Sequence, residues 1–173
     1  MTTLKSLRTS GEASFSIVQV VPGTVMGPSE LISTRIEARK KMDRMSRALL
    51  FNEPKPRYLF GFVHVEDCAK VHVEALDEVK ITDDEIPYWF IAAASSDSAK
   101  SGEQIWKEAG NAIESNLENA IASGTLTVGR DNVPTNMPFY VDSALTETKM
   151  RHDKFKSLNE CIKEVAEWYM GLT

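Results

Sequence analysis

Cysteine is scarce in this chain, with only Cys68 and Cys161 among 173 residues. Two thiols fall short of the disulfide framework that holds small secreted domains together, and both lie in segments with helical periodicity. Long hydrophobic runs are also absent, since none approaches the roughly 20 apolar residues that cross a bilayer. We therefore expect reduced core thiols, a cytoplasmic location and no membrane partner.

An overall excess of positive charge is missing as well. The chain has 20 Lys and Arg against 25 Asp and Glu, a formal net charge of -5, which argues against a general nucleic-acid or anionic-membrane partner. Residues 35–47 are a local exception, with six basic and two acidic side chains and hence a charge of +4. A basic helix can meet phosphate or an acidic partner, but most such runs are solvated faces, which is the interpretation we favour.

A glycine-rich phosphate-binding turn is the most consequential absence. Neither Gly-x-Gly-x-x-Gly nor Gly-x-x-Gly-x-x-Gly occurs, and the closely spaced Gly23 and Gly27 belong to a different pattern. In dinucleotide-binding folds that turn brings backbone N–H groups at a helix start onto the pyrophosphate. Without it, we expect any dinucleotide to bind weakly.

What the chain does have is a strand that stops abruptly at Pro22-Gly23. Residues 15–21 are rich in β-branched and aromatic side chains and almost continuously apolar, which predicts a strand covered on both faces. Pro22 removes a backbone donor, and Gly23 permits backbone angles that other residues avoid. The pair is consistent with an ordinary turn or with a ligand site at the carboxyl end of a strand in an open α/β sheet.

Further elements follow from periodicity and punctuation. We predict helices within residues 29–50 (with the stripe Met42, Met45 and Leu49), over 66–79 and over 101–122, and strands over 58–63, 87–93 and, briefly, 125–128. The closing helix begins at Ser157-Leu-Asn-Glu160, which has the spacing of a capping box. Its buried stripe is predicted to comprise Leu158, Cys161, Ile162, Val165, Trp168 and Leu172, and Trp168 and Tyr169 are expected to pack a core rather than contact a ligand.

Several of these segments, taken in order, resemble the second half of an extended short-chain dehydrogenase/reductase. They are residues 20–28 (VVPGTVMGP), 60–76 (FGFVHVEDCAKVHVEAL), 88–93 (YWFIAA), 141–143 (VDS) and the closing helix through Trp168 and Tyr169. The resemblance covers residues 15–172 and is strongest to the NAD-dependent epimerase/dehydratase and dihydroflavonol-reductase-like branch. It implies an α/β fold made of the last strands of a Rossmann-type parallel sheet and a mostly helical C-terminal substrate-binding lobe.

The resemblance also shows what the chain lacks relative to that family. Its members use a Tyr-x-x-x-Lys helix, in which the lysine lowers the tyrosine pKa so that the phenol can pass a proton to the substrate. Here the four tyrosines at 58, 88, 140 and 169 are followed four residues later by Phe, Ala, Ala and Thr. We therefore assign no catalytic residue and expect the chain to match the C-terminal portion of the family, beginning after the active-site tyrosine.

By motif position, the resemblance implies a cofactor wall and a substrate contact. Pro22, Gly23, Thr24 and Val25 would line the nicotinamide end of NADP or NAD, with weak binding expected. Met26 and Phe62 would lie near the carbonyl of a small carbonyl-containing substrate. Residues 1–14 are expected to form a flexible N-terminal tail, and residues 15–173 a partial NAD(P)-binding sheet with the substrate lobe.

A metal site is the less favoured interpretation of another cluster. His64, Cys68 and His72 are spaced i, i+4, i+8, but His64 falls in a strand-like segment that turns it away from the helix face. We predict no metal, and expect His64 and Asp67 to serve the turn and the helix start. The acidic run at residues 83–85 is expected to be a solvated loop.

Three functions therefore remain open. The first is a truncated carbonyl (ketone or aldehyde) reductase-like protein, weak or inactive alone. The second is a non-catalytic small-molecule-binding module. The third is an interaction protein that completes its sheet with a partner chain. The last alternative follows because the strands 15–21 and 87–93 look like interior strands without neighbours in the sequence. It predicts a homo-oligomer or a sheet-completing partner.

Overall fold

The computed structural model describes residues 17–53, 61–81, 89–95, 99–134, 140–151 and 153–173. Strands and helices alternate along the chain. In order they are β1 Gln19–Pro22, β2 Thr24–Met26, α1 Arg35–Lys41, α2 Arg44–Phe51, β3 Phe62–His64, α3 Val65–Glu74, α4 Glu78–Ile81, β4 Trp89–Ala92, α5 Gly102–Asn116, α6 Glu118–Ala122, α7 Ala144–Thr146, a π-helical turn Glu147–Arg151, and α8 Leu158–Gly171. Among these helices none is long and apolar enough to cross a membrane.

The strands form two parallel pairs. β1 pairs with β4, with Gln19 opposite Trp89 and Pro22 opposite Ala92. β2 pairs with β3, with Thr24 opposite Phe62. Parallel pairing of strands separated by helices is the mixed α/β architecture that the sequence predicts, built here from short strands.

A single residue, Gly23, carries the chain from one strand pair to the other. Its N–H donates to the Ala92 carbonyl at 3.0 Å, and the next N–H, of Thr24, donates to the Gly61 carbonyl at 2.7 Å. A Cβ atom on Gly23 would lie 2.5 Å from that Gly61 oxygen. Glycine is therefore required because two backbones approach closely, whereas a left-handed conformation is found instead at Gly27, with φ +150.

The core lies between the second strand pair and the C-terminal helices. α8 packs on α5, α2 and β3. Trp106 of α5 is fully buried, and its indole N–H donates to the Gly129 carbonyl at 3.0 Å. Cys161 is buried in the same core, and burial first, with the charges of Asp67 and Glu164, raises the pKa of its thiol to about 12. Both cysteines are free thiols, as predicted.

The closing helix confirms its predicted start. The Ser157 side chain accepts from the Glu160 N–H, and the Glu160 carboxylate accepts from the Ser157 N–H at 2.7 Å, which completes the capping box. The predicted stripe packs inward, with Trp168 and Leu172 only partly buried. Tyr169 packs edge-on against Phe51, with ring centroids 5.0 Å apart, so its predicted core role is confirmed.

Three predicted helices are interrupted. The helix within residues 29–50 is two helices, because Asp43 accepts from the N–H groups of Met45 and Ser46 and caps a second start. The helix predicted over 66–79 ends at Glu74. A separate helix, α4, follows Asp77, whose side chain accepts a hydrogen bond from the Val79 N–H. The helix predicted over 101–122 breaks at Leu117, whose φ of -131 is not helical.

The brief strand predicted over residues 125–128 is wrong. The Thr127 and Gly129 N–H groups donate to the carbonyls of Leu50 and Leu49 at 2.8 and 2.9 Å. This segment therefore satisfies the last carbonyls of α2, which a helix end leaves without intrahelical partners, and does not pair with a strand.

The prediction that residues 15–21 are covered on both faces is also wrong for the described part of that segment. Val20 and Val21 are only partly buried, and Gln19 and Pro22 are exposed. Within the described residues, β1 pairs with β4 alone, so its other edge is open. The predicted tail at 1–14, the first half of the strand predicted over 58–63, and the acidic run 83–85 lie outside the described residues.

Candidate functional site

The predicted cofactor wall lies where β1 passes into β2. Pro22 is exposed, Gly23 and Thr24 are partly buried, and the Val25 side chain is 42% exposed. The strand end therefore presents the pyrrolidine ring of Pro22 and the branched side chain of Val25 at the surface. Apolar groups in this position can cover the flat face of a ligand's ring but cannot bind the charged groups attached to that ligand.

The backbone at this strand end has little capacity for further hydrogen bonds. The Gly23 and Thr24 N–H groups are both used within the fold, and Pro22 has no N–H to offer. A phosphate held by these amides would have to displace the hydrogen bonds to the Ala92 and Gly61 carbonyls. The engaged amides thus favour apolar contact over phosphate binding at these residues.

The two predicted substrate contacts are less accessible than the wall. Met26 is 1% exposed and Phe62 is 9% exposed, and both side chains belong to the hydrophobic core. They lie on the adjacent strands β2 and β3, offset by two positions in register. Their contact with a substrate stays a prediction, and in this conformation they support the wall from behind.

Two serines lie near the end of β4 that sequence reasoning did not single out. Ser95 and Ser143 approach through their hydroxyls, with 2.7 Å between the two Oγ atoms, and Ser143 is buried. Ala144 donates its N–H to Asp142 at 3.1 Å and so begins α7. Ser143 belongs to the quoted segment 141–143, but nothing in that short motif indicated a hydroxyl pair.

The sequence triad of His64, Cys68 and His72 does not form a metal site in the described structure. His64 ends β3 and caps α3, since its Nδ1 accepts from the Glu66 N–H at 3.3 Å. His72 instead makes a local contact of 2.8 Å between its Nδ1 and the Cys68 carbonyl. The predicted capping role of His64 is confirmed, while Asp67 accepts from the Lys156 N–H at 2.8 Å and so also ties α3 to the start of α8.

A different group of metal-capable side chains does come together. Ligand atoms of His64, Glu66 and Glu164 lie within 4.8 Å of one another. The ammonium of Lys156 already lies among them, at 3.0 Å from a Glu66 oxygen and at 2.8 and 3.0 Å from the two oxygens of Glu164. A lysine therefore provides the positive charge that these carboxylates need, and a metal ion would have to displace it.

Charge coupling in this cluster is visible in the ionisation of its members. The hydrogen bond from Lys156, followed by the charge of Lys156, holds the pKa of Glu66 below its ordinary value. Partial burial acts to lower the pKa of Lys156, but hydrogen bonds to Glu164 and Glu66 outweigh it and leave that pKa raised. Both groups are therefore charged near neutral pH.

Intramolecular contacts account for much of the basic segment at 35–47. Arg35 donates to the Met170 carbonyl at 2.8 Å at the end of α8, where a cation suits the helix dipole. Arg39 and Arg47 lie 3.4 and 3.7 Å from carboxylate oxygens of Glu53. Lys41 pairs with Glu37 at 2.6 Å. These contacts favour a structural, partly solvated face over a phosphate-binding one.

This arrangement of parallel strand pairs with intervening helices is a mixed α/β fold with short parallel strands. It matches the crystal structure of Gre2 from Candida albicans in complex with NADPH, with a TM-score of 0.58 and 13% sequence identity. The match covers 97% of this chain and 47% of that one, so the chain spans about half the length of Gre2. No family model and no curated protein matches the sequence.

Proposed function

We propose that the chain forms the nicotinamide-side wall and the substrate lobe of an NAD(P)-dependent carbonyl reductase. The observation that carries this proposal is that the apolar side chains of Pro22 and Val25, which we call the strip, are both exposed near the carboxyl ends of β1 and β2. Doubly wound sheets bind their ligands at that end. The fold match to a protein solved with NADPH adds support for the ligand class.

Residues of the strip fit one end of the cofactor and not the other. The Pro22 ring and the Val25 side chain offer an apolar surface to the flat nicotinamide of NADP or NAD, which supplies hydride when bound. The Gly23 and Thr24 amides are engaged within the fold, so a pyrophosphate finds no free donors there. Binding by this chain alone is therefore expected to be weak.

The substrate in this proposal is a small ketone or aldehyde. Met26 and Phe62 would shape its site from beneath the strip, and the C-terminal helices would enclose it. None of the four tyrosines has a lysine four residues on, so the chain lacks the motif that would protonate the developing alkoxide. Turnover by the chain alone is expected to be weak or absent.

A fluorescence titration with NADPH tests the wall. Val25→Asp places a carboxylate on the strip and should weaken NADPH binding by at least about tenfold, since an apolar contact is lost and an unpaired charge is gained. Val73→Asp is the matched control, because Val73 of α3 is 65% exposed and lies away from the strip. Equal affinity for the two variants would contradict the wall.

A second candidate, a sheet-completing interaction protein, is favoured by the edge of β1 that no strand of the described residues covers. The Gly23 N–H points to β4, so strand alternation directs the Val20 N–H and carbonyl towards the open side. Pro22 lies on that same side, where a missing N–H is tolerated at an edge. A paired edge would also cover the half-exposed Val20 and Val21.

Light scattering across a wide concentration range tests this second candidate. Pairing through the β1 edge predicts self-association that Val20→Pro reduces, because proline removes the edge N–H. Val73→Asp serves again as the control, since it removes exposed apolar surface elsewhere. A monodisperse monomer at every concentration would exclude a homo-oligomer formed through this edge.

A further inference from the structure

His64 lies at the point where the candidate wall meets the last helix. Its side chain is fully buried, and its backbone pairs opposite Met26 across β2 and β3. A Cβ atom on Gly27 would lie 3.3 Å from the His64 Nε2 atom, so the imidazole is the immediate neighbour of the strand end. The ring therefore lies against the end of β2, next to Gly27 and across from Met26.

The two ring nitrogens have different partners, which fixes the tautomer. Nδ1 accepts from the Glu66 N–H and so cannot carry a proton in the neutral ring. The proton is then on Nε2, which is buried and must find an acceptor. The Glu164 carboxylate oxygen lies 3.0 Å away but off the line of the N–H, and a small turn of this carboxylate would align it.

Glu164 is itself held in place from the other side. Lys156 contacts both of its oxygens, and the same ammonium reaches Glu66 in the first turn of α3. The Lys156 N–H also donates to the buried Asp67. His64, Glu66, Glu164 and Lys156, which we call the His64 cluster, thus join β3 and the start of α3 to α8.

We propose that His64 is a positioning residue whose Nε2–H donates to Glu164 and thereby holds the Met26–Gly27 strand end against α8. This proposal rests on the proposed function in so far as the strand end forms a ligand wall. The ring itself touches neither cofactor nor substrate. Its role is to fix where the wall lies.

Nitrogen NMR of the imidazole at neutral pH tests the proposal without any ligand. The expected spectrum shows a proton on Nε2 and an unprotonated Nδ1, and Glu164→Gln should shift the Nε2 signal and the amide signals of Met26 and Gly27. Glu167→Gln is the matched control, since Glu167 lies on the same helix and pairs only with Lys163, at 3.8 Å, among the described contacts. A ring protonated on Nδ1, or equal shifts in the two variants, would overturn the proposal.

Two substitutions at His64 separate capping from positioning. Asparagine can replace Nδ1 as the cap acceptor but does not reach Glu164, whereas glutamine extends an N–H donor towards the place of Nε2. His64→Asn should therefore weaken NADPH binding by about tenfold, while His64→Gln should stay within about threefold of the unmodified chain. The reverse order would show that the cap alone matters and would overturn positioning.

The experiment distinguishes failure of this proposal from failure of the proposed function. If the unmodified chain binds no NADPH, the proposed function fails, while the tautomer and the amide shifts still decide the role of His64. A zinc titration covers the remaining alternative. Zinc that broadens the imidazole signals at micromolar concentration and releases Lys156 would make the His64 cluster a metal site and overturn its role as a clamp.

Discussion

The two parallel strand pairs differ in how much of their surface the described chain covers. All three residues of β3 are buried, as is Met26 at the end of β2, under α3 and α8. In β1, no residue is fully buried and one edge is open within the described residues. Burial thus differs by strand: β3 is internal throughout, whereas β1 stays partly exposed although Phe90 and Ala92 of its partner β4 are buried.

This difference in burial separates residues that stabilise the fold from residues that are free to contact a ligand or partner. The second pair is stabilised by side chains from several helices, so its residues are fixed by packing. The first pair leaves apolar side chains half exposed, and such surface marks association or ligand sites when it is contiguous. We call β3, the end of β2 and the helices packed on them the covered half. We therefore expect substitutions in the covered half to change stability and those along β1 and at Val25 to change binding.

The largest expected effect is in the covered half. Trp106→Ala should lower the free energy of unfolding by about 3–5 kcal/mol, because it removes a fully buried indole and the hydrogen bond to Gly129. Trp168→Ala is the matched control, since Trp168 is only partly buried. Denaturant unfolding measures both, and equal losses would contradict the proposed boundary of the core.

An intermediate effect is expected where the two pairs meet. Gly23→Ala should destabilise the fold by about 1–3 kcal/mol, because the added methyl would lie 2.5 Å from the rigid Gly61 carbonyl. Gly171→Ala, at the end of α8, has no neighbouring atom within 4 Å of its new Cβ and should be close to neutral. A comparison of thermal unfolding midpoints checks the pair, and an unaffected Gly23→Ala would show that the crossing tolerates a side chain.

The smallest expected effect concerns the two capping boxes of the covered half. Hydrogen bonds from the side chain and backbone of Ser157 hold the pKa of Glu160 below its ordinary 4.5. Its contribution to stability is therefore complete above pH 4.5 and is lost as pH falls through the lowered folded value. Glu160→Gln, which copies the neutral Ser101 and Gln104 box of α5, removes only the charge.

For this exposed glutamate the difference from the unmodified chain should be at most about 0.5 kcal/mol. Chemical unfolding at several pH values should show that difference above pH 4.5 and its decline in more acidic solution. A difference that grows with acidity would contradict the sign. Lys107→Gln, on an exposed face of α5, provides a control for general loss of surface charge.

Sequence periodicity predicted the covered half well and the open half poorly. The capping box at Ser157 and the stripe from Leu158 to Val165 are local signals, and both are confirmed. The burial of β1 was predicted from its apolar composition alone, and composition cannot tell whether a neighbouring strand is present. The strand predicted at 125–128 failed for a related reason, because its hydrogen-bond partners are carbonyls nearly 80 residues away in sequence.

The candidate site was only partly visible in the sequence. Pro22 to Val25 stood out through turn chemistry and the family resemblance, and the cap formed by His64 followed from its place before Glu66. The cluster with Lys156 and Glu164 did not, because about 90 residues separate its two halves and no motif links them. Contacts of that kind depend on how α8 docks, which a single sequence does not reveal.

Gly23 is the single residue that connects β1 to β2, so the connection between the two strand pairs has no spare length. One added or deleted residue there would shift the side-chain alternation of β1 relative to β2, so this junction should reject indels. The tip at Gly124, whose Cβ position is open, would by contrast accept an inserted residue. A scan of single-residue insertions should therefore find tolerated insertions around that tip and none at the junction.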